Sequence, residues 1–294
     1  MSLAGIFALR MLGLFLILPV FALYAEGMAG VTPVLVGLAV GAYGLTQALL
    51  QIPFGMLSDR IGRKPVILGG LLVFAVGSLV AASAETIYGV ILGRALQGSG
   101  AIAAAVMALA ADLTREEVRT RAMAMIGVSI GAAFALALVL GPVLGHWVGV
   151  PGIFWITAAL AVGGILIVIF LVPTPASPRV HRDAEATRGQ LRGVLLNREL
   201  LRLDFGVLTL HMLMTALFLV FPLSLVDNGV DSARHWLVYL PVMLLAMLAM
   251  VPFVIIAEKR RRIRDVFLGA IVVLALAQFL FWWGAQSLAA LLLA

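Results

Sequence analysis

The stretch GMLSDRIGRKPV, residues 55–66, puts Asp59, Arg60, Arg63 and Lys64 within six positions, between flanks that are almost purely apolar. Asp59 is an acceptor of the kind that suits a helix N-terminus, where unpaired N–H groups and the dipole favour negative charge. Arg63 is a fork donor able to bridge two carboxylates. Gly55 lets helices approach closely, and Gly62 permits a tight turn. A stretch needed only to orient a chain in a membrane would require the basic residues but neither the acid nor the glycines. Asp112, in DLTREEVRTRAM (112–123), closes a later apolar span and is placed to meet Arg63 across two helix ends. Reversible charge pairing, not covalent catalysis, is the chemistry of this set.

Other candidates sit inside apolar runs. Arg94, in LGRALQGSGAIAAAV (92–106), lies about seven residues into its run, roughly 10 Å deep at helical rise. An arginine facing lipid at that depth costs several kcal/mol, so a polar cavity or a partner must receive it. Arg10 and His211 lie about two turns inside their runs, and histidine can carry a proton near neutral pH. Proton coupling is one role for Arg94, Arg10 and His211; a structural ion pair or a hydrogen bond between helices is the other. Tyr43, Gln47 and Gln51 share one helical face at i, i+4 and i+8, and either line a substrate cavity or bond to neighbouring helices. Met243, Met247 and Met250 form either an adaptable apolar wall or lipid-facing packing.

Several chemistries are disfavoured. There is no cysteine, so disulfides and thiol chemistry are out. No phosphate-binding G-x-x-x-x-G-K-[ST] loop, His/Glu metal spacing or nucleophile elbow occurs. The expectation is a protein that is not an enzyme and uses no cofactor or metal.

The elements that carry these residues follow from composition. The chain has 294 residues, 63% of them hydrophobic and 12% charged, with a mean hydropathy of +1.15. That exceeds what a soluble domain carries and implies an all-α protein whose helices cross a membrane repeatedly. Apolar spans fall at about 3–24, 33–55, 65–83, 87–111, 122–147, 152–172, 204–226, 236–257 and 266–284, with another starting near 287. Basic residues crowd the connections after spans two, four, six and eight, which hold 17 of the 20 Lys and Arg. The opposite connections carry Glu26, Glu85, Asp227 and Asp231, with Arg234 as their single base. By the positive-inside rule the N-terminus and the basic loops are cytoplasmic, and the net charge of +6 reports topology instead of nucleic-acid binding.

Residues 173–203 form the longest connection, a Pro- and Ser-containing linker followed by a basic segment. In its second part Leu191, Val194 and Leu195 lie near Arg188, Arg192 and Arg202, the pattern of an amphipathic helix on the inner membrane surface or of a solvated linker. It separates a first set of six spans, 1–172, from a second set, 204–294. The second set repeats the first. IPFGMLSDRIGR (52–63) lies over VPFVIIAEKRRR (251–262) at an offset of 199, and LRML (9–12) lies over LHML (210–213) at an offset of 201. An offset of about 200 maps Ala294 onto roughly residue 94, so the second set reaches only the start of its fourth span. The chain is therefore expected to be incomplete at its C-terminus, about three and a half helices into the second bundle, and not to transport as it stands.

The segment G-x-L-x-D-R-x-G-R-K-P at 55–65 resembles the signature loop between helices 2 and 3 of the major facilitator superfamily, with every characteristic position filled. Residues 92–106 resemble the family's helix-4 motif, with Arg94 as its basic residue. GVSIGAAFALALVLGPVLGHW (127–147) partly resembles the helix-5 motif of antiporters. Gly141, Pro142 and Gly145 fit it, whereas Ala137 and His146 replace expected glycines. Ordinary close packing and a proline kink at Pro142 would explain these residues equally. The run YGLTQALLQIPFG resembles the drug:proton antiporter branch, and within it the YajR-type subgroup most closely; ALRMLG and LGPVLG agree. The resemblance implies a major-facilitator fold and proton-coupled efflux of small, largely apolar compounds by alternating access. It places Gly55, Asp59, Arg60, Gly62, Arg63, Lys64 and Asp112 in a charge relay that gates the cytoplasmic side. The implied setting is a bacterial inner membrane, with the lipid bilayer, a small-molecule substrate and protons as partners, and a monomer when full length. A metabolite facilitator or a non-transporting sensor or scaffold on the same fold remain the alternatives.

The orientation is testable because single cysteines report cleanly in a cysteine-free chain. In intact cells an impermeant thiol reagent is expected to label Asn228→Cys and to leave Thr187→Cys unlabelled; the reverse pattern overturns the topology.

Overall fold

The computed structural model describes residues 2–173, 193 and 196–284, and no strand occurs among them. In chain order the helices are α1 (Ser2–Phe15), α2 (Leu18–Glu26), α3 (Pro33–Ile61), α4 (Arg63–Ala82), α5 (Ile87–Ser99), α6 (Ala103–Leu113), α7 (Glu116–Phe170), α8 (Arg198–Asp227), α9 (Trp236–Lys259) and α10 (Ile263–Gly284). Among the described residues, eight helical segments are long and apolar enough to cross a membrane, counting Ser2–Glu26 and Ile87–Leu113 as one each. The amphipathic helix expected around Leu191, Val194 and Leu195, and the span expected from 287, lie outside the described residues.

Local chemistry sets the helix starts. Thr32 caps α3, its hydroxyl accepting from the Leu35 N–H, and Pro33 stands at the first helical position. Thr86 caps α5 through the Gly89 N–H. The Asn197 side chain accepts from the Glu199 and Leu200 N–H groups, so α8 begins six residues before the apolar span does and takes Arg198 and Arg202 out of the linker.

Helix α7 has 55 residues, about 80 Å at helical rise, far more than one crossing of a hydrocarbon core about 30 Å thick. It bends at Gly149, whose φ of 68° and ψ of 174° are not helical. The two parts match the spans expected at 122–147 and 152–172. At Pro142, where a kink is expected, the backbone dihedrals stay helical; the break in the helix falls at Gly149, because glycine accepts the left-handed φ without a Cβ clash.

The first-half helices pack through small residues. A Cβ on Gly98 of α5 would overlap the Thr46 hydroxyl and the Tyr43 carbonyl oxygen of α3. A Cβ on Gly77 of α4 would lie 2.7 Å from the Gly93 carbonyl oxygen of α5. Backbones thus approach as small-residue membrane interfaces allow. The C-terminal part of α7 packs on α1, where the Thr157 hydroxyl donates to the Gly13 carbonyl at 3.1 Å. One apolar cluster joins Phe7, Ile67, Leu71, Val106 and Leu109 near the loop of charges, and another joins Phe21, Ala39, Val90 and Phe154 toward the opposite end.

The second set of helices meets the first along α7 and α2. Phe134 of α7 stands edge-on to Phe15 of α1 at 5.1 Å and to Phe218 of α8 at 5.8 Å. Leu138 of α7 is buried with Leu225 of α8 and Tyr239 of α9.

The repeat seen in the sequence reappears in the backbone. Gly62, between α3 and α4, has φ of 98°, and Arg261, its counterpart at an offset of 199 between α9 and α10, has φ of 51°. Among the described residues Arg261 is the one non-glycine with positive φ.

The close approach at Gly98 predicts that Gly98→Ala loses about 1–3 kcal/mol from overpacking. Gly41→Ala, on α3 with no atom within 4 Å of the added Cβ, should be neutral or gain up to about 1 kcal/mol from helix propensity. Unfolding midpoints of the two variants in detergent, followed by tryptophan fluorescence, check both.

Candidate functional site: a charge latch and a buried guanidinium network

The turn after α3 gathers the charges of 55–66. Arg63 pairs through Nη1 with the Asp59 carboxylate, and its Nε lies 3.5 Å from Oδ2 of Asp112, at the end of α6. Nη1 also donates to the Ser58 hydroxyl at 2.6 Å, which donates onward to the Gly55 carbonyl at 2.7 Å. Gly62 lets α3 pass into α4 without a connecting loop, which keeps Asp59 and Arg63 on adjoining turns. Gly55 faces α6, where an added Cβ would touch Ala104 at 3.4 Å. Lys64 donates to the Val172 carbonyl at 2.5 Å, and Arg60 is exposed.

Burial differs along this chain of charges. The side chain of Asp112 is 7% exposed, that of Arg63 18% and that of Asp59 50%. A half-exposed pair is worth about 0–1 kcal/mol. The Asp59 side of the bridge is therefore open to screening by water, whereas the longer Asp112 contact is largely shielded from it. Ser58, which buttresses Arg63, was not singled out from the sequence; its place one residue before the acid was the available signal.

A second polar system lies inside the helices. Arg10 is 1% exposed and Arg94 is 3% exposed. Arg10 donates through Nη2 to Gln47 Oε1 at 3.0 Å and to the Gly100 carbonyl at 3.2 Å. That carbonyl is available because the fourth span unwinds between α5 and α6, at residues 100–102. Arg94 donates through Nη1 to Gln97 Oε1 at 2.9 Å and through Nε to the Ala39 carbonyl at 3.4 Å. Gln97 in turn donates to the Ser78 hydroxyl at 2.7 Å.

Tyr43 stands between the two guanidiniums. The Arg94 Cζ is 4.9 Å from the ring centroid and the Arg10 Cζ is 6.0 Å from it; Arg10 also lies 5.6 Å from the Phe74 ring. No described carboxylate bonds to either arginine. Arg10 Nε and Nη1 and the Tyr43 hydroxyl are buried without a hydrogen-bond partner among the described residues. Ring faces and amide oxygens thus take the place of a counter-ion.

The profile of the Major Facilitator Superfamily matches residues 3–294. The chain belongs to this superfamily. The inner membrane transport protein YajR of Escherichia coli (strain K12) is 50% identical over 281 residues, which cover 96% of this chain and 62% of YajR. An uncharacterized transporter of Buchnera aphidicola subsp. Schizaphis graminum is 36% identical over 239 residues, 81% of this chain and 61% of that protein. The chain thus spans less than two thirds of the length of these two relatives. Two solved structures share the fold. A bacterial homolog of the human lysosomal transporter Spinster, inward-facing and occupied, has a TM-score of 0.69 at 15% identity over 88% of this chain and 60% of its own. A D-xylose-proton symporter has a TM-score of 0.67 at 15% identity, covering 99% of this chain and 76% of its own.

On this superfamily scaffold the remaining candidates separate. Of the stripe Tyr43, Gln47 and Gln51, Tyr43 and Gln47 are engaged with the arginines, and none of the three lines a cavity that opens among the second set of helices. The cavity, about 580 Å³, lies between α7, α8, α9 and α10. Val242, Ala246 and Met250, which line it, are the counterparts of that stripe at an offset of 199. Met243 and Met247 line it too, beside Phe134 and Phe218, while Met247 and Met250 also expose more than half of their surface.

His211 is exposed on α8, with Nδ1 2.9 Å from the Val207 carbonyl of its own helix. That contact is within its own helix, and α8 meets the first half near Phe218 and Leu225. In the helix-5 motif, a Cβ on Gly141 would lie 2.7 Å from the Leu16 carbonyl and one on Gly145 3.1 Å from Val20, with Pro142 buried between them. These residues seat α7 on the junction of α1 and α2.

The unpartnered hydroxyl and the engaged ring of Tyr43 make opposite predictions for two variants. Tyr43→Phe should leave the unfolding midpoint unchanged or raised, since it removes a buried polar atom that bonds to nothing. Tyr43→Leu should lose about 1–3 kcal/mol, since both guanidiniums lose a ring face. Equal losses in the two, measured by thermal unfolding in detergent, would remove the ring from this role.

Proposed function

We propose that the protein is a secondary active transporter of the bacterial inner membrane that exports small, largely apolar compounds in exchange for protons by alternating access. The observation that carries this proposal is Arg63 held between Asp59 and Asp112 at the ends of three helices. Protonating either acid, or drawing the helix ends apart, weakens the bridge and shifts the balance between two conformations. The 50% identity to a protein described as an inner membrane transport protein supports the same conclusion. In this arrangement residues 1–172 act as one six-helix bundle, 173–203 as a cytoplasmic linker and 204–294 as part of a second bundle that rocks against the first. The N-terminus is cytoplasmic, and the functional unit is a monomer.

A second possibility, a facilitator without proton coupling, is favoured by one feature. The buried network contains two arginines and a tyrosine but no described carboxylate to carry a proton through the membrane interior. Substrate-stimulated proton flux separates the two.

In proteoliposomes with an imposed pH gradient, using a chain of the length of its Escherichia coli relative, Asp59→Asn and Arg63→Ala are each expected to reduce flux by about tenfold or more while the protein still inserts. Arg63→Lys should rescue poorly, because an ammonium lacks the fork that meets two carboxylates. Near-normal flux in Asp59→Asn would exclude the latch.

A further inference from the structure

Arg10 and Arg94 place two positive charges inside one apolar body, where they are 1% and 3% exposed. Neither sheds its proton to escape burial. Among the described residues no carboxylate pairs with either. Both lie against the same ring, that of Tyr43, with Cζ 6.0 Å from its centroid for Arg10 and 4.9 Å for Arg94, so the two like charges also repel each other in a medium that screens poorly.

The two are covered unequally. Arg94 donates through Nε to the Ala39 carbonyl and through Nη1 to Gln97 Oε1. The same two nitrogens of Arg10 are buried and bond to nothing among the described residues. Only Nη2 of Arg10 meets acceptors, Gln47 Oε1 and the Gly100 carbonyl. A ring face attracts the charge of a guanidinium but does not supply an acceptor for its in-plane N–H groups. Charged donors left unmet in an apolar interior are costly. The groups that meet Arg10 all belong to the first half: Tyr43 and Gln47 of α3, Phe74 of α4 and Gly100 just after α5. The shortfall is therefore internal to that half.

The shortfall has two parts, idle donors and uncompensated charge, and together they point to the ligand. A water molecule would accept from one of the idle nitrogens but would leave both charges standing. An anion answers both at once. A large oxyanion would bring several further acceptors, each needing a donor of its own in an enclosed place. A monatomic anion needs only the N–H groups that Arg10 has to spare.

We propose that Arg10 binds a small monovalent anion, of the size and charge of chloride, through its Nε and Nη1 atoms inside the first half of the chain. The ion neutralises one of the two buried charges and makes the packing of α1 against α3 and α5 dependent on the anion in solution. This role is independent of what the protein exports and of how export is coupled.

The test uses the purified chain in detergent at constant ionic strength, with sodium chloride replacing sodium gluconate. The thermal unfolding midpoint should rise by about 3 °C or more between about 1 and about 100 mM chloride and then level off, and bromide should act likewise. Arg10→Gln should abolish the response, whereas Arg202→Gln, which removes an exposed cation of α8, should keep it. A second measurement on the unmodified chain stands whether or not Arg10→Gln folds: radiolabelled chloride should bind saturably, at about one ion per chain, and be displaced by bromide but not by gluconate. A midpoint indifferent to chloride, an equal loss of response in Arg202→Gln, a full response in folded Arg10→Gln, or no saturable chloride binding would each overturn the proposal.

Discussion

Two guanidinium groups buried inside an apolar helical body, Arg10 and Arg94, set the terms for the packing of the first four spans. An arginine does not deprotonate to escape burial. Its charge must be covered, and here the cover comes from the amides of Gln47 and Gln97, the carbonyls of Ala39 and Gly100, and the faces of Tyr43 and Phe74. That cover requires backbones to come close. Gly98 admits α5 against Tyr43 and Thr46, and the unwound residues 100–102 release a carbonyl that a continuous helix would have used itself. Irregular backbone at membrane depth is tolerated where protein surrounds it, and here a guanidinium takes up the freed acceptor.

The molecule keeps its two charge systems apart, and the difference between them bears on transport. The interior network joins α1, α3, α4 and α5 through contacts that do not depend on a carboxylate, so a change of proton concentration has little to act on there. The latch at the end of α3 depends on two carboxylates and is partly wet. Small energies at a partly exposed pair would suit the element that opens and closes in the proposed cycle, and well-covered cations would suit the scaffold around it.

The internal repeat shows how one backbone plan serves different chemistry. The turns at Gly62 and Arg261 share a left-handed residue, yet glycine fills the first and arginine the second. The face of α3 that bears Tyr43, Gln47 and Gln51 corresponds to the face of α9 that bears Val242, Ala246 and Met250. The first meets two arginines; the second lines an apolar cavity flanked by methionine and phenylalanine. Among the described residues, α3 thus offers polar contacts where α9 offers adaptable apolar surface.

Much of this was legible in the amino-acid order. Hydropathy located the membrane-length helices, since burying about 20 consecutive apolar residues leaves a chain few other options. The pairing of Arg63 with Asp59 and Asp112 followed from spacing and from the positions of helix ends, and the depth of Arg94 demanded a polar partner. What the order could not specify was the partner itself. Periodicity assigns a residue to a face but does not say which helix lies opposite. So Tyr43 and Gln47, read as one stripe, became contacts of Arg10 and Arg94; the unwinding at Gly100 supplied an acceptor no pattern announced; and His211, equivalent to Arg10 in the repeat, faces outward on α8. Local sequence determines where a helix runs and how deep its charges lie. Only the packing of helices distant in sequence decides what each buried charge touches, because that choice depends on which small residues let two backbones meet.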